Sequence, residues 1–204
     1  MTKVLIIGAT SSIAQATAKY LLNNTDDQIT LMARYVGMLD TDPKRERVVQ
    51  GDIIDAEALD EALMGNDVVL VALDSNEERL IQKIVDAMRN QNIKRLLFLT
   101  SMGICNEVPI TAGASGNLTE ESILRPYEET IDVIKNSGLD YTIIRPSWLD
   151  NGQDTNYEII RGSKVTGKDH VSMASLVNLI VRLAHDDKMA AHENLEIRRA
   201  VNSR

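Results

Sequence analysis

The chain has 204 residues and a formal net charge of −8, from 22 basic against 30 acidic residues. This acidity argues against nucleic acid as a partner, because such binding depends on cations that neutralise phosphates. The single cysteine, Cys105, excludes an internal disulfide framework and fits a reducing cytosol, and no run approaches the roughly 18 apolar residues of a membrane span. We therefore expect a cytoplasmic protein with no membrane partner, folded as one domain over residues 1–204.

Short apolar runs alternate with amphipathic helical segments along the chain. Strands are predicted at residues 4–7, 29–33, 47–49, 68–73, 95–100, 141–144 and 195–201. Helices are predicted between them, around residues 13–22, 58–63, 80–88, 119–136 and 171–183. The stretch at 102–117, which contains three glycines and a proline, and a polar stretch after Pro146 are predicted as loops.

This alternation predicts the fold class. We expect α/β architecture with a single doubly wound parallel sheet, helices on both faces and right-handed crossovers, as in Rossmann-like domains. Ligands of such sheets bind beyond the carboxyl ends of the strands. The residues that follow each predicted strand are therefore the candidate functional residues.

The first strand runs into a glycine turn and then a helix, which is the layout of a dinucleotide-binding βα unit. A complete Gly-x-x-Gly-x-x-Gly loop has glycines at 8, 11 and 14, but Ser11 and Ala14 stand at the last two positions. Serine and alanine are the smallest replacements, so they tighten the turn without abolishing it. We expect phosphate contacts from Gly8, Thr10, Ser11, Ser12 and Ile13, with hydroxyls adding to backbone amides.

The ends of the next strands carry candidate adenosine contacts. Arg34 stands where an acidic residue would bind the ribose 2′-hydroxyl of NAD, and arginine instead offers a planar cation for the 2′-phosphate of NADP. The alternative is a solvated arginine at a loop entry. Asp52 is expected to reach the adenine amino group with the Ile53 backbone beside it, or to have only a turn or capping role. Ala72 and Leu73 would lie along the adenosine and ribose.

The fifth strand ends at Thr100 and Ser101, under the expected nicotinamide position. The Ser101 hydroxyl is the candidate catalytic group, since it can hold a substrate carbonyl or the nicotinamide ribose; an ordinary strand-end serine is the alternative. The histidines have no metal-site spacing, so no metal is expected. They are His170, His185 and His192, and the last two are expected at the surface.

Five segments carry a family pattern: Gly8-Ala9-Thr10, Arg34, Gly51-Asp52, Thr100-Ser101-Met102-Gly103, and the block Ser-Gly-Leu-Asp-Tyr-Thr-Ile-Ile-Arg-Pro at 137–146. Together they resemble the atypical short-chain dehydrogenases, and within these the NAD(P)H-binding subgroup that includes NmrA-like proteins and the flavin/biliverdin reductase B type. The resemblance covers nearly the whole chain, and the block at 137–146 is its most specific part. It implies a Rossmann-like domain that holds NADP, with phosphates at residues 10–13 and the 2′-phosphate near Arg34. It also implies a nicotinamide position near Ser101, Pro146, Ser147 and Trp148.

The usual catalytic pair of the short-chain dehydrogenases is absent from this sequence. Those enzymes use Tyr-x-x-x-Lys, in which the lysine lowers the pKa of the tyrosine so that the phenol can donate a proton. No tyrosine in this chain is followed four positions later by lysine; Ile131, Arg145 and Arg161 follow Tyr127, Tyr141 and Tyr157.

Two functions from different classes remain open. One is an NADPH-dependent reductase of a small conjugated, quinone- or flavin-like acceptor, with the proton coming from solvent or from Ser101. The other is a non-catalytic NADP(H)-binding redox regulator that contacts a protein partner, as NmrA-like proteins do. NAD(H) is the less favoured cofactor in either case. A sugar-nucleotide epimerase relative is disfavoured, because such enzymes use Tyr-x-x-x-Lys.

Overall fold

The computed structural model describes residues 1–73, 78–100, 125–162 and 170–200. In these ranges the chain forms ten strands and five helices. In chain order they are β1 Lys3–Ile7, α1 Ser12–Asn24, β2 Gln28–Ala33, β3 Glu46–Gln50, α2 Ala56–Leu63, β4 Val68–Val71, α3 Glu78–Asn90, β5 Arg95–Leu99, α4 Arg125–Lys135, β6 Asp140–Pro146, β7 Trp148–Asp150, β8 Tyr157–Arg161, β9 His170–Ser172, α5 Met173–His185 and β10 Glu193–Arg199.

Eight of these strands form one sheet in the order β3-β2-β1-β4-β5-β6-β10-β8. Neighbouring strands from β3 to β10 are parallel, and β8 pairs antiparallel with β10 at the edge. The sequence order of the strands reverses between β1 and β4, which is where doubly wound sheets open a crevice at their carboxyl ends. The predicted Rossmann-like α/β sheet is therefore confirmed.

Alternate residues of β1 enter two separate hydrophobic layers, because a parallel strand covered by helices is buried on both faces. Val4 and Ile6 pack in the layer that α1 and α5 cover. Leu5 and Ile7 pack in the layer beneath α2, α3 and α4. None of the helices in the described ranges has the length and apolar character to cross a membrane.

The prediction of a loop after Pro146 is wrong, because this stretch contains strands. β7 and β9 pair in parallel as a small second sheet, and β8 extends the main sheet. β7 and β9 have three residues each, too few for a periodic pattern to reveal them. β8 is a half-buried edge strand without the continuous apolar run of the central strands. Because β9 takes up residues 170–172, α5 begins later than predicted, at Met173.

Some sequence predictions fall outside the described residues. These are the loop at 102–117, residues 119–124 of the fourth predicted helix, and the candidate catalytic Ser101. The remainder of that helix is confirmed as α4.

The block at 137–146, which carries the most specific part of the family resemblance, has structural roles. Ser137 and Gly138 follow the end of α4, and Gly138 takes a left-handed conformation with φ +72°. Arg145 is fully buried; its Nε donates to Asn194 Oδ1 at 2.7 Å and its Nη2 to Gly162 O at 2.8 Å. The Arg145 side chain therefore joins β6 to β10 and to the residue that follows β8.

Asp27 connects three elements at the amino end of the sheet. Its buried carboxylate accepts a hydrogen bond from Thr2 N at 2.7 Å and lies 2.6 Å from Nε2 of His185 at the end of α5. Burial raises the pKa of Asp27, but the hydrogen bonds from Thr2 and His185 outweigh it, and the net pKa is lowered. His185 lies at the surface as predicted, but its pairing has no local sequence signal because Asp27 is 158 positions away.

Replacing Asp27 with asparagine tests this contact. A carboxyl group whose folded pKa is lowered stabilises the fold above its unfolded pKa, and the stabilisation is lost as pH falls through the folded pKa. We expect Asp27→Asn to lower the free energy of unfolding by about 1–3 kcal/mol at neutral pH. The difference from wild type should shrink once the pH falls below 3.8, the ordinary pKa. Urea denaturation from neutral to strongly acidic pH measures both effects.

Asp26→Asn is the matched control, because Asp26 is the neighbouring acid and is exposed. It should leave the free energy of unfolding nearly unchanged. Equal losses in the two variants, or an Asp27→Asn loss that persists undiminished in acid, would contradict this account.

Candidate functional site

An open cleft of about 300 Å³ lies at the carboxyl ends of β1 to β4. It adjoins the point where the strand order reverses, which is where doubly wound sheets bind ligands. The structure brings together here residues that the sequence separates widely. Eight of the predicted cofactor-binding residues line the cleft: Gly8, Thr10, Ser11, Arg34, Asp52, Ile53, Ala72 and Leu73.

Gly8 makes the turn from β1 to α1 in a conformation that requires glycine. Its φ is +86°, in the left-handed region, and a Cβ at this position would lie 2.3 Å from Ala72 O beyond the end of β4. The amides of Gly8 and Ala9 both donate to Met32 O, and Ala72 N donates to Ile7 O. The turn is therefore held between β2 and β4, with backbone directly against backbone.

Ser11 and Ala14 replace the second and third glycines of the loop without disrupting it. Ser11 is the N-cap of α1, and its Oγ accepts from Ala14 N at 3.3 Å. Ala14 is fully buried in the layer between α1 and the sheet. The cap leaves the amides of Ser12 and Ile13 without a partner inside the helix, at the positive end of the helix dipole. The helix can therefore bind a phosphate through these two amides, whereas the Ser11 hydroxyl already accepts a hydrogen bond from Ala14 N.

Two exposed arginines flank the cleft. Arg34 follows β2, as predicted, and Arg79 lies in the first turn of α3. Within the described part of the chain, neither guanidinium has a hydrogen-bond or ion-pair partner. The sequence reasoning missed Arg79. A cation in the first turn of α3 opposes the helix dipole, but no local pattern places it at the cleft, because that depends on how α3 packs.

Asp52 has a turn role at the end of β3. Its Oδ1 accepts from Ile54 N at 3.1 Å, and its carbonyl accepts from the amide of Asp55, the N-cap of α2. Asp52 therefore contributes to the turn, and its contact with an adenine amino group remains a prediction. Gly51 allows α2 to approach β3 closely, since a Cβ there would lie 2.4 Å from Ala58 Cβ.

The other predicted strand-end residues that the structure describes lie at or just beyond the ends of β5 and β6 and do not line the cleft: Thr100, Pro146, Ser147 and Trp148. Thr100 is buried, and its Oγ1 has no hydrogen-bond partner among the residues that the structure describes. Pro146 ends β6. Ser147 is buried and its hydroxyl donates to Glu196 Oε1 at 3.4 Å, whereas the next residue, Trp148, is 54% exposed.

The family model for NAD(P)H-binding proteins matches residues 8–187, from the glycine turn to the end of the last helix. The chain belongs to this NAD(P)H-binding family. A short-chain dehydrogenase/reductase from Veillonella parvula, solved in complex with NADP, is 26% identical with a TM-score of 0.87, covering 97% of this chain and 94% of that one. A Rossmann-fold NAD(P)-binding family protein from Shigella flexneri is 28% identical with a TM-score of 0.83, covering 98% and 94%.

A curated relative from Streptomyces griseus is a (4-alkanoyl-5-oxo-2,5-dihydrofuran-3-yl)methyl phosphate reductase. It is 27% identical over 143 residues, which are 70% of this chain and 46% of the relative. The chain thus spans about half the length of the curated relatives that it matches.

The described residues fit the cofactor that the family binds. Gly8 leaves its turn free of a side chain, and the amides of Ser12 and Ile13 suit a pyrophosphate. The cleft has the volume of a small-molecule site, for which about 300–1,000 Å³ is usual. These features together fit the adenosine and phosphate half of a dinucleotide at the carboxyl edge of β1 to β4.

Gly8→Ala tests the close contact at the turn. The added methyl group would collide with Ala72 O, so we expect the dissociation constant for NADPH to rise at least tenfold. Titration followed by NADPH fluorescence measures the affinity, and thermal denaturation measures the accompanying loss of stability.

Gly65→Ala is the matched control, because Gly65 also has a positive φ, +75°, but has nothing within 4 Å of its added Cβ. It should lose about 1 kcal/mol of stability from backbone strain alone and bind NADPH normally. If Gly8→Ala matched Gly65→Ala in both affinity and stability, the proposed role of the contact would be refuted.

Proposed function

We propose that this protein is an NADPH-dependent reductase that delivers a hydride to a planar, conjugated acceptor of the quinone or flavin type. The pair of exposed arginines at the cleft, Arg34 and Arg79, carries the cofactor assignment. A 2′-phosphate suits this pair because guanidinium groups bind phosphate oxygens in a planar, two-point geometry. NADH lacks that phosphate and would leave both cations without a partner among the described residues of the cleft.

Three further observations support a reductase. The family binds NAD(P)H, the Veillonella structure was solved with NADP, and the Streptomyces relative is named a reductase. Bound NADPH supplies the hydride. In our proposal the chain contributes binding and orientation, with the amides of Ser12 and Ile13 on the pyrophosphate and the strand ends at Thr100 and Pro146 toward the nicotinamide.

Within the family we place the protein nearest the flavin/biliverdin reductase B type, acting in a reducing compartment such as the cytosol. The absence of a Tyr-x-x-x-Lys pair supports this choice over the ordinary short-chain dehydrogenases. The same absence favours the second candidate, an NmrA-like redox regulator that binds NADP(H) without turnover. Turnover with an acceptor separates the two.

Replacing each cleft arginine with alanine tests the 2′-phosphate assignment. Because a hydrogen bond to a charged group contributes about 1.5–3 kcal/mol, we expect Arg34→Ala and Arg79→Ala each to weaken NADPH binding about 10- to 100-fold. NADH binding should stay the same, since the lost contact is to the 2′-phosphate. Isothermal titration calorimetry with both cofactors measures this.

Arg89→Ala is the control for Arg79→Ala, because Arg89 is an exposed arginine in the last turn of the same helix. It should leave both affinities unchanged. Equal losses of NADPH and NADH affinity in the two cleft variants would show that the 2′-phosphate assignment is wrong.

NADPH oxidation with a panel of naphthoquinones, benzoquinones and flavins tests the reductase activity. We expect loss of NADPH absorbance with at least one planar acceptor, and a slower rate with NADH at equal concentration. Arg34→Ala should raise KM for NADPH and leave kcat nearly unchanged, since Arg34 lies on the adenosine side. Tight NADPH binding without turnover on any acceptor would refute the reductase and support the regulator.

A further inference from the structure

The small sheet places an exposed tryptophan beside an exposed histidine. Parallel pairing of β7 with β9 sets Trp148 opposite His170. Paired residues of parallel strands share a face, on strands about 4.8 Å apart. Trp148 is 54% exposed and His170 is also exposed, whereas the next residue of β9, Val171, is fully buried. The two side chains therefore form one accessible surface.

Polar contacts anchor the opposite end of this small sheet. Arg199 Nη2, at the end of β10, lies 2.9 Å from Asp150 Oδ2 and 2.9 Å from Asp154 Oδ2. Ser172 ends β9, caps α5 and donates to the carbonyl of Asp154. The small sheet is thus attached to both β10 and α5. Trp148 and His170 are presented by this attached scaffold, which gives a binding surface a defined geometry.

The position of this surface relates it to the cofactor. β7 begins two residues after Pro146, at the carboxyl end of β6, and β5 and β6 lie beyond β4 from the adenosine cleft. In a doubly wound sheet a dinucleotide crosses the switch point along the carboxyl edge, so its second half extends toward these strands. An acceptor that meets the nicotinamide would therefore lie near Trp148.

We propose that Trp148 and His170 form the acceptor subsite, with the indole stacking on a planar conjugated ring and the imidazole donating the proton that completes its reduction. This rests on the proposed reductase function. The hydride supplies two electrons and one proton, which leaves a reduced quinone with a negative charge on oxygen. A protonated His170 gives its N–H proton to that oxygen, forming the neutral hydroquinone, and regains a proton from water. His170 would then supply the proton that the missing tyrosine–lysine pair supplies elsewhere.

Binding can be tested without turnover, using NADP⁺-loaded protein and flavin mononucleotide as the probe. Stacking on the indole should quench the flavin emission, and Trp148→Leu should weaken this binding about tenfold, the equivalent of about 1.4 kcal/mol of stacking. Tyr35→Leu is the control, because it removes a 79% exposed aromatic side chain on the adenosine side. It should leave the quenching unchanged. No quenching with wild type, or equal quenching with Trp148→Leu, would overturn the subsite.

Proton donation is tested with 1,4-naphthoquinone as the acceptor. His170→Asn should lower kcat about 100-fold with little change in KM, and added imidazole should restore part of the rate. His192→Asn is the control; His192 is 58% exposed at the start of β10, and its φ of +61° is one that asparagine tolerates. An unchanged kcat in His170→Asn, or a loss that imidazole does not restore, would overturn the role of His170.

The two proposals fail in different ways. If wild-type protein oxidises no NADPH with any acceptor, the reductase function and the proton donation by His170 fall together. The flavin titration then still decides whether Trp148 binds a planar ring. If wild type turns over and neither variant differs from its control, the reductase stands and the acceptor subsite is overturned.

Discussion

The contact between Gly8 and the carbonyl of Ala72 is the constraint on which the site depends. Because position 8 has no side chain, the turn between β1 and α1 packs directly on the backbone that follows β4. This is the point where the strand order of the sheet reverses. With a side chain at position 8 the two backbones would have to separate, and the start of α1 would move away from the cleft. The replacement of the later loop glycines by Ser11 and Ala14 is tolerable because neither position makes such a contact; Ser11 caps α1 and Ala14 packs beneath it.

The carboxyl edge of the sheet has two halves with different chemistry. The half at β1 to β4 carries the cations Arg34 and Arg79 and adjoins the start of α1, and both suit phosphates. The half after β5 and β6 carries the buried hydroxyl of Thr100 and the exposed indole of Trp148. We interpret the first half as the source of cofactor affinity and the second as the place where acceptors are selected.

The sheet and the cleft were largely predictable because they follow from local apolar runs and a topological rule. β4, Val68–Val71, is apolar on both faces, and parallel strands place their following residues at one edge. β7 and β9 were not predictable, since three residues show no period. Arg79 was missed because its approach to the cleft depends on how α3 packs, which no local pattern specifies. The resemblance of the block at 137–146 to a family pattern does not reveal what its buried Arg145 does, which is to join β6 to β10 and to the residue after β8.

The central claim is that the cleft recognises a phosphate at the 2′ position of adenosine. Competition against NADPH by two isomers, adenosine 2′,5′-bisphosphate and adenosine 3′,5′-bisphosphate, tests it directly on the unaltered protein, because the isomers have the same charge and composition. The account predicts that the 2′,5′ isomer displaces NADPH at least tenfold more effectively, since only it can place phosphates at both α1 and the pair Arg34 and Arg79. Equal displacement by the two isomers, or none by either, would contradict it.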